Sequence, residues 1–181
     1  MYPTDSCYAL GCRIGDKTAL DRIRDIRQTD RHHHFTLVCR DLADVGKYAV
    51  VNNSQYRLLR AHTPGPYTFL LKASREIPRR LKHERRGTIG LRVPDHPVTA
   101  MLLSELGEPI MSSTLLLPGE QLPRTDAKEI YEQLEHAVDL VLDGGNCGLV
   151  PTSVIDLSGD QIEVVRVGRG DVGPFVRPAT V

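Results

Sequence analysis

The chain has 181 residues, 40% of them hydrophobic and 25% charged, and its formal net charge is zero. That size and balance suit one globular domain burying roughly 70% of its unfolded surface. No stretch approaches the ~18 consecutive apolar residues of a membrane span and no signal-peptide pattern precedes Tyr2, so the expectation is a cytoplasmic protein without a membrane partner.

The first strand is expected to end at Tyr2-Pro3, followed by a hydroxyl-rich loop at Thr4, Asp5 and Ser6. Asp16 is a suitable N-cap for a helix in which Ala19, Leu20, Ile23 and Ile26 share a face. "HHH" at His32 to His34 reads as a solvated loop. Three consecutive strand residues alternate faces, so one metal ion could not collect all three. "FTLVC" (Phe35 to Cys39) is strand-like, and a second helix is expected after Asn52 and Asn53, turning Tyr56, Leu58 and Leu59 inward. The prolines of "HTPGP" lack backbone donors and turn the chain into the strand "YTFLLK". "TIGLRV" is another strand, ended by Pro94, and "VTAMLLSELG" is a helix stopped by Gly107. "PIMSST" is a short buried strand, and "TDAKEIYEQLEHA" an amphipathic helix capped by Thr125 or Asp126. Three strand-like stretches close the chain: "DLVLDGG", "TSVIDL" and "QIEVVRVG". Interspersed helices and strands without strict alternation indicate an α/β or α+β domain around one mixed, twisted sheet.

Cys7, Cys12, Cys39 and Cys147 form no Cys-x-x-Cys pair, which predicts reduced, mostly buried thiols. The only glycine-rich run, "DGGNCG", fits neither a dinucleotide fingerprint nor a P-loop. Charge is unevenly spread. Residues 57–92 carry 10 basic against 2 acidic groups, whereas residues 93–181 carry 5 against 14. The basic segment, with Arg79, Arg80, Lys82, Arg85 and Arg86 in "RRLKHERR", favours an anionic partner. It has little aromatic character, so RNA bound there would be held by phosphates and shape. Ser112 to Thr114 and Thr152 with Ser153 are further hydroxyl clusters at strand ends, suited to a polar ligand or to turns. Arg27 stands at a helix end. Arg92 and Arg166 lie inside apolar strands, where each needs either a ligand or an acidic partner such as Asp156.

"YPTDSCYALGC", "HTPGPYTFLLK", "TIGLRVPDHP", "PIMSST", "DLVLDGG", "PTSVIDL" and "VVRVGRGD", in this order across nearly the whole chain, resemble the YrdC family, and most closely its YciO branch. The resemblance implies a single domain over residues 1–181 with a twisted open sheet, flanking helices and a concave basic face. It also implies that the family's N-terminal helix and part of its first strand are missing. Family synthases join ATP, L-threonine and bicarbonate into threonylcarbamoyl-AMP for tRNA modification, with Mg²⁺ on the triphosphate and no tightly bound cofactor. On that basis Thr4, Arg92 and Ser153 would contact threonine, and Arg27, Thr29, Ser113, Thr114 and Arg166 the nucleotide phosphates. The alternative is a non-catalytic protein that binds double-stranded RNA or tRNA. Two departures bear on the choice. The synthases' Lys-x-Arg motif reads Arg27-Gln28-Thr29 here, and their Ser-x-Asn motif reads Thr114-Leu115-Leu116. Leucine offers no side-chain hydrogen bond. Oligomeric state is not legible in the sequence.

Overall fold

The computed structural model describes residues 1–30 and 33–176, and only the backbone of Arg80. Among these residues eight strands form one mixed sheet: β1 Ala9–Arg13, β2 Thr36–Val38, β3 Ala49–Val50, β4 Tyr67–Ala73, β5 Thr88–Arg92, β6 Ile110–Thr114, β7 Ser153–Asp156 and β8 Glu163–Arg166. Their order is β1-β6-β2-β5-β4-β7-β8, with β3 paired to β4. The β2–β5 and β4–β7 pairs are parallel and the others antiparallel. Among the described residues five α-helices flank the sheet: α1 Lys17–Arg27, α2 Leu42–Tyr48, α3 Asn53–His62, α4 Pro97–Leu106 and α5 Ala127–Leu134. The expected α/β domain with a mixed sheet is what the chain forms.

Two neighbouring rows of the sheet divide the molecule into core and site. Met111, Leu37, Leu91, Phe69 and Ile155 are successive cross-strand partners, each at most 1% exposed. This row lies in the main apolar core with Leu10, Leu20, Ile23 and Leu59. One residue along each strand the side chains point the other way. There the row runs Gly11, Ser112, Thr36, Gly90, Leu70 and Asp156, which is small or polar at most positions. A one-residue slip would exchange the two rows, so burial specifies the register.

The helix ends follow the local chemistry. Asp16 accepts from Ala19 N at 2.9 Å and caps α1, which ends at Gln28 in the left-handed region (φ 49°). Asn52 and Gln55 form a reciprocal capping box on α3. Asp126 caps α5, and Gly107 (φ 67°) closes α4.

Several elements differ from the sequence reading. "DLVLDGG" forms no strand. It runs beside the first residues, held by Met1 N–H to Leu140 O, Leu142 N–H to Met1 O and Tyr8 Oη–H to Gly145 O, with Gly144 against Pro3. Tyr2 makes only an isolated bridge to Ala9, and the continuous first strand is β1, after the loop and not before it. Tyr56 is exposed, because the inward position in that turn is taken by Gln55, whose amide donates to Leu157 O at 2.6 Å. Helix α2 and strand β3 were not anticipated. Seven and two residues are too short for a periodicity to show.

Candidate functional site

The small, polar sheet face floors a cleft of about 410 Å³. Its base includes Gly90, Thr36, Thr68 and Val154, and its walls bring in the ends of α1, β6 and β8. A Cβ on Gly90 would lie 3.2 Å from Thr68 Cγ2 and 3.4 Å from Leu70 Cδ2, so the missing side chain keeps the floor open.

Three arginines line this cleft, and its described lining contains no carboxylate. Each guanidinium is tethered, and each keeps at least one nitrogen without a partner among the described residues. Arg27, carried by the last turn of α1, donates through Nη1 to His33 Nε2 at 2.9 Å and to Ser113 Oγ, and its Nε lies 3.5 Å from Leu116 O. Its Nη2 is unspent. Arg92, at the end of β5, donates through Nη2 to Asp5 Oδ1 at 2.5 Å and to Ser6 Oγ at 3.3 Å, while its buried Nε has no partner. Arg166, at the end of β8, donates through Nε and Nη2 to Thr152 O at 3.1 and 2.8 Å, leaving Nη1 unspent. Burial pushes the pKa values of Arg27 and Arg166 down, and Arg92 adds to the effect on Arg166. Each guanidinium nevertheless stays charged at any physiological pH. Arg92 and Arg166 repel one another, and an anion beside Arg166 would relieve that repulsion.

His33 was read as part of a solvated loop, but it is half-buried against this cluster. A guanidinium can only donate, so Nε2 of His33 is the acceptor and its ring is neutral. Burial first, then the Arg27 charge, lowers its pKa to about 4. It also packs edge-on to Phe35, with ring centroids 5.3 Å apart. His32 lies outside the described residues. The other expected partner, Asp156, does not serve Arg92 or Arg166. It pairs with Arg86 at 3.1 Å, and the buried pair of Arg92 is Asp5.

The structure thus brings Arg27, Arg92, Arg166, Ser113 and Thr114 to one cleft. Thr4, Ser153 and Thr29 stand apart from it. The Thr4 hydroxyl donates to Cys7 O at 2.7 Å and accepts from the Ser6 and Cys7 amides, building the turn that presents Asp5 and Ser6 to Arg92. The Ser153 hydroxyl is completely buried. It donates to Gly170 O at 2.5 Å and accepts from Gly168 N at 2.8 Å. That folds the following loop so closely over β7 that a Cβ on Gly168 would fall 2.3 Å from Pro151 O. Thr29 Oγ1 is buried just past α1, with no partner among the described residues. Thr36, Thr68, Gly90 and His33 were missed as lining residues. The one signal available was Gly90 itself, a lone glycine inside the strand "TIGLRV".

The basic segment adjoins the cleft. His34, at its mouth, stacks on His83 with ring centroids 4.6 Å apart and planes at 23°. His83 Nδ1 in turn accepts from the Arg85 and Arg86 amides at 3.3 Å, shaping the turn. Arg79 and Arg85 are exposed. Lys82 is tied to Ser74 O at 2.6 Å and Arg86 to Asp156, so these two serve the fold as well. The side chain of Arg80 lies outside the described residues.

The cleft does not fit a resident Mg²⁺, which takes oxygen ligands that usually include one or two carboxylates. The described lining supplies hydroxyls, the Gln121 amide oxygen and backbone oxygens but no carboxylate, so a metal would have to arrive on its ligand's phosphates. A nucleophilic thiolate is equally unsupported, since burial pushes the Cys7 thiol, which faces the cleft, up to about 11.

Comparison with known proteins follows this architecture. Residues 1–168 match the Sua5/YciO/YrdC family, described as "Telomere recombination". The chain is 52% identical over 176 residues to "Uncharacterized protein YciO" of Escherichia coli (strain K12), covering 97% of this chain and 85% of that one. The crystal structure of E. coli YciO superposes with a TM-score of 0.91 over the same shares. The chain is also 30% identical to the "Threonylcarbamoyl-AMP synthase" of Neisseria gonorrhoeae, covering 86% of this chain and 82% of that one. With a matched profile over nearly its whole length and close agreement in both sequence and sheet, the chain belongs to the Sua5/YciO/YrdC family.

Proposed function

We propose that this chain is a non-catalytic RNA-binding protein of the YciO type, holding double-stranded RNA or tRNA by its phosphates. The observation that carries the reading is the cleft of three tethered arginines without a carboxylate, joined through the His34–His83 stack to the exposed basic turn. Tethered guanidinium groups with donors to spare suit phosphate recognition, because the cost of orienting them is met by the fold. Arg79, Arg80, Lys82, Arg85 and Arg86 then follow the RNA backbone outside the cleft. Turnover is disfavoured at the cleft wall, where Leu116 contributes its backbone oxygen to Arg27 but no side-chain donor to a substrate. The protein works in the cytoplasm in this reading, with its four thiols reduced.

RNA binding measured against salt tests the reading. The slope of log K on log salt should become less negative by ~0.7–0.9 for each phosphate contact removed. The quadruple variant Arg79→Ala, Arg80→Ala, Arg85→Ala, Arg86→Ala should therefore bind more weakly and with a flatter slope. RNA affinity indifferent to these changes would remove the reading.

A second reading, a threonylcarbamoyl-AMP synthase using ATP, L-threonine and bicarbonate, is favoured by the convergence of Arg27, Arg92 and Arg166 and by the similarity to proteins of that name. Thr4 and Ser153 would then act on threonine through the loops they shape, and Thr29, Ser113 and Thr114 beside the phosphates. Pyrophosphate release that requires both threonine and bicarbonate would establish it.

A further inference from the structure

We propose that the arginine cleft seats a terminal phosphomonoester of an RNA strand, so that the protein grips its RNA by an end. The inference rests on the RNA-binding reading. The cleft's volume of about 410 Å³ has room for one nucleotide-sized group. The backbone of a duplex therefore stays outside, on the basic turn, while one terminus turns in.

Charge and donor count favour a monoester over an internal diester. A phosphomonoester carries up to two negative charges, with a second pKa near 6, and presents three oxygen acceptors. Among the described residues the cleft presents two cations without an acidic partner, Arg27 with Nη2 and Arg166 with Nη1 still to be satisfied, while Arg92 is paired with Asp5. An internal diester carries a single charge and would neutralise only one of these two cations. Arg92 is 93% buried and neutralised by Asp5, so it forms part of the cleft wall and leaves Arg27 and Arg166 to hold the anion. Above the arginines the mouth turns apolar at Leu122 and Leu149, both of them exposed. Their surfaces can cover the sugar or base that bears the phosphate. His34 and His83 join this mouth to the turn carrying Arg85 and Arg86, which gives the strand a path from the duplex to the cleft.

The test is fluorescence anisotropy with four RNAs of one duplex sequence: 5′-phosphorylated, 3′-phosphorylated, hydroxyl-ended, and closed at both ends by loops. At least one phosphorylated form should bind tenfold or more tightly than the hydroxyl-ended and closed forms. Arg166→Gln should abolish that preference, and unchanged thermal unfolding would show that the variant is folded. Arg79→Ala with Arg85→Ala should weaken all four RNAs alike and keep the preference. Inorganic phosphate should compete only for the increment due to the phosphorylated end. Equal affinity for all four RNAs, or a preference surviving in Arg166→Gln, overturns the inference while leaving RNA binding standing. Failure to bind any of the four at low salt overturns the RNA reading itself.

Discussion

Arg92 and Asp5 form a buried ion pair, each side chain 8% exposed, in which Asp5 also accepts from the Asp95 amide at 2.9 Å. Removing one partner strands the other charge away from water. Asp5→Ala should therefore cost about 3–5 kcal/mol in chemical denaturation. A loss below ~1 kcal/mol would mean that Arg92 finds solvent or another acceptor. His33 makes a prediction in pH. Its folded pKa of about 4 lies below the ordinary value of 6.5 because of burial first, then the charges of Arg27, His34 and Arg24, with Asp30 opposing them. Between those values the unfolded chain binds a proton that the folded chain refuses, so stability falls as pH drops from about 6.5 to about 4. His33→Gln keeps an acceptor for Arg27 but does not titrate. The stability of this variant should fall less steeply than that of the wild type across that window, and parallel curves would disprove the assignment. Neither residue was assigned this role by sequence reading, because each owes it to a partner distant in the chain or placed by a turn.

At the scale of elements, the sheet face is set by the alternation of two rows, and Gly90 is its narrowest tolerance. Gly90→Val would place branched carbons among Thr68, Leu70 and Thr36. We expect ligand affinity to fall at least tenfold, with a stability loss in the ~1–3 kcal/mol range of overpacking. Unaltered binding would show that the ligand does not reach the floor. Helix α3 depends on its start: Asn52→Ala removes the capping box and should cost ~1 kcal/mol by thermal or chemical unfolding. The cap at Asp16 was legible outright, and the helix starts after Asn52 and Asn53 and at Thr125 or Asp126 to within a residue, because capping is local chemistry. "DLVLDGG" was misread for the complementary reason. Its apolar residues resemble a strand, but a strand needs a ladder partner, and here the neighbouring backbone offers only scattered bonds.

For the molecule as a whole, the uneven charge becomes a geometry. The basic segment between β4 and β5 lies at one side of the cleft, while Arg27 and Arg166 reach it from α1 and β8. A chain with zero net charge thus presents a local cationic surface. Attraction of RNA to it should weaken steeply with salt, because exposed charges are screened over ~8–10 Å at 0.1–0.15 M. The tethered cleft arginines should be less sensitive than the turn. Comparing the salt slopes of Arg166→Gln and of Arg79→Ala with Arg85→Ala measures this difference, and identical slopes would count against it.

The sequence by itself determined the mixed α/β fold, most helix starts, strands β2 and β4 to β8, and the family, because hydrophobic period, capping and turn residues act over a few neighbours. It also marked Arg92 and Arg166 as residues in need of a ligand or partner, and singled out Arg27 at a helix end. Only the tertiary structure decided which partners these are: His33 and Ser113, Asp5, and the backbone at Thr152. It alone showed that Thr4 and Ser153 spend their hydroxyls on the loops around the cleft. Hydrogen bonds and ion pairs are settled by distances of a few ångströms between residues that can lie a hundred positions apart. No local pattern in a chain records such distances.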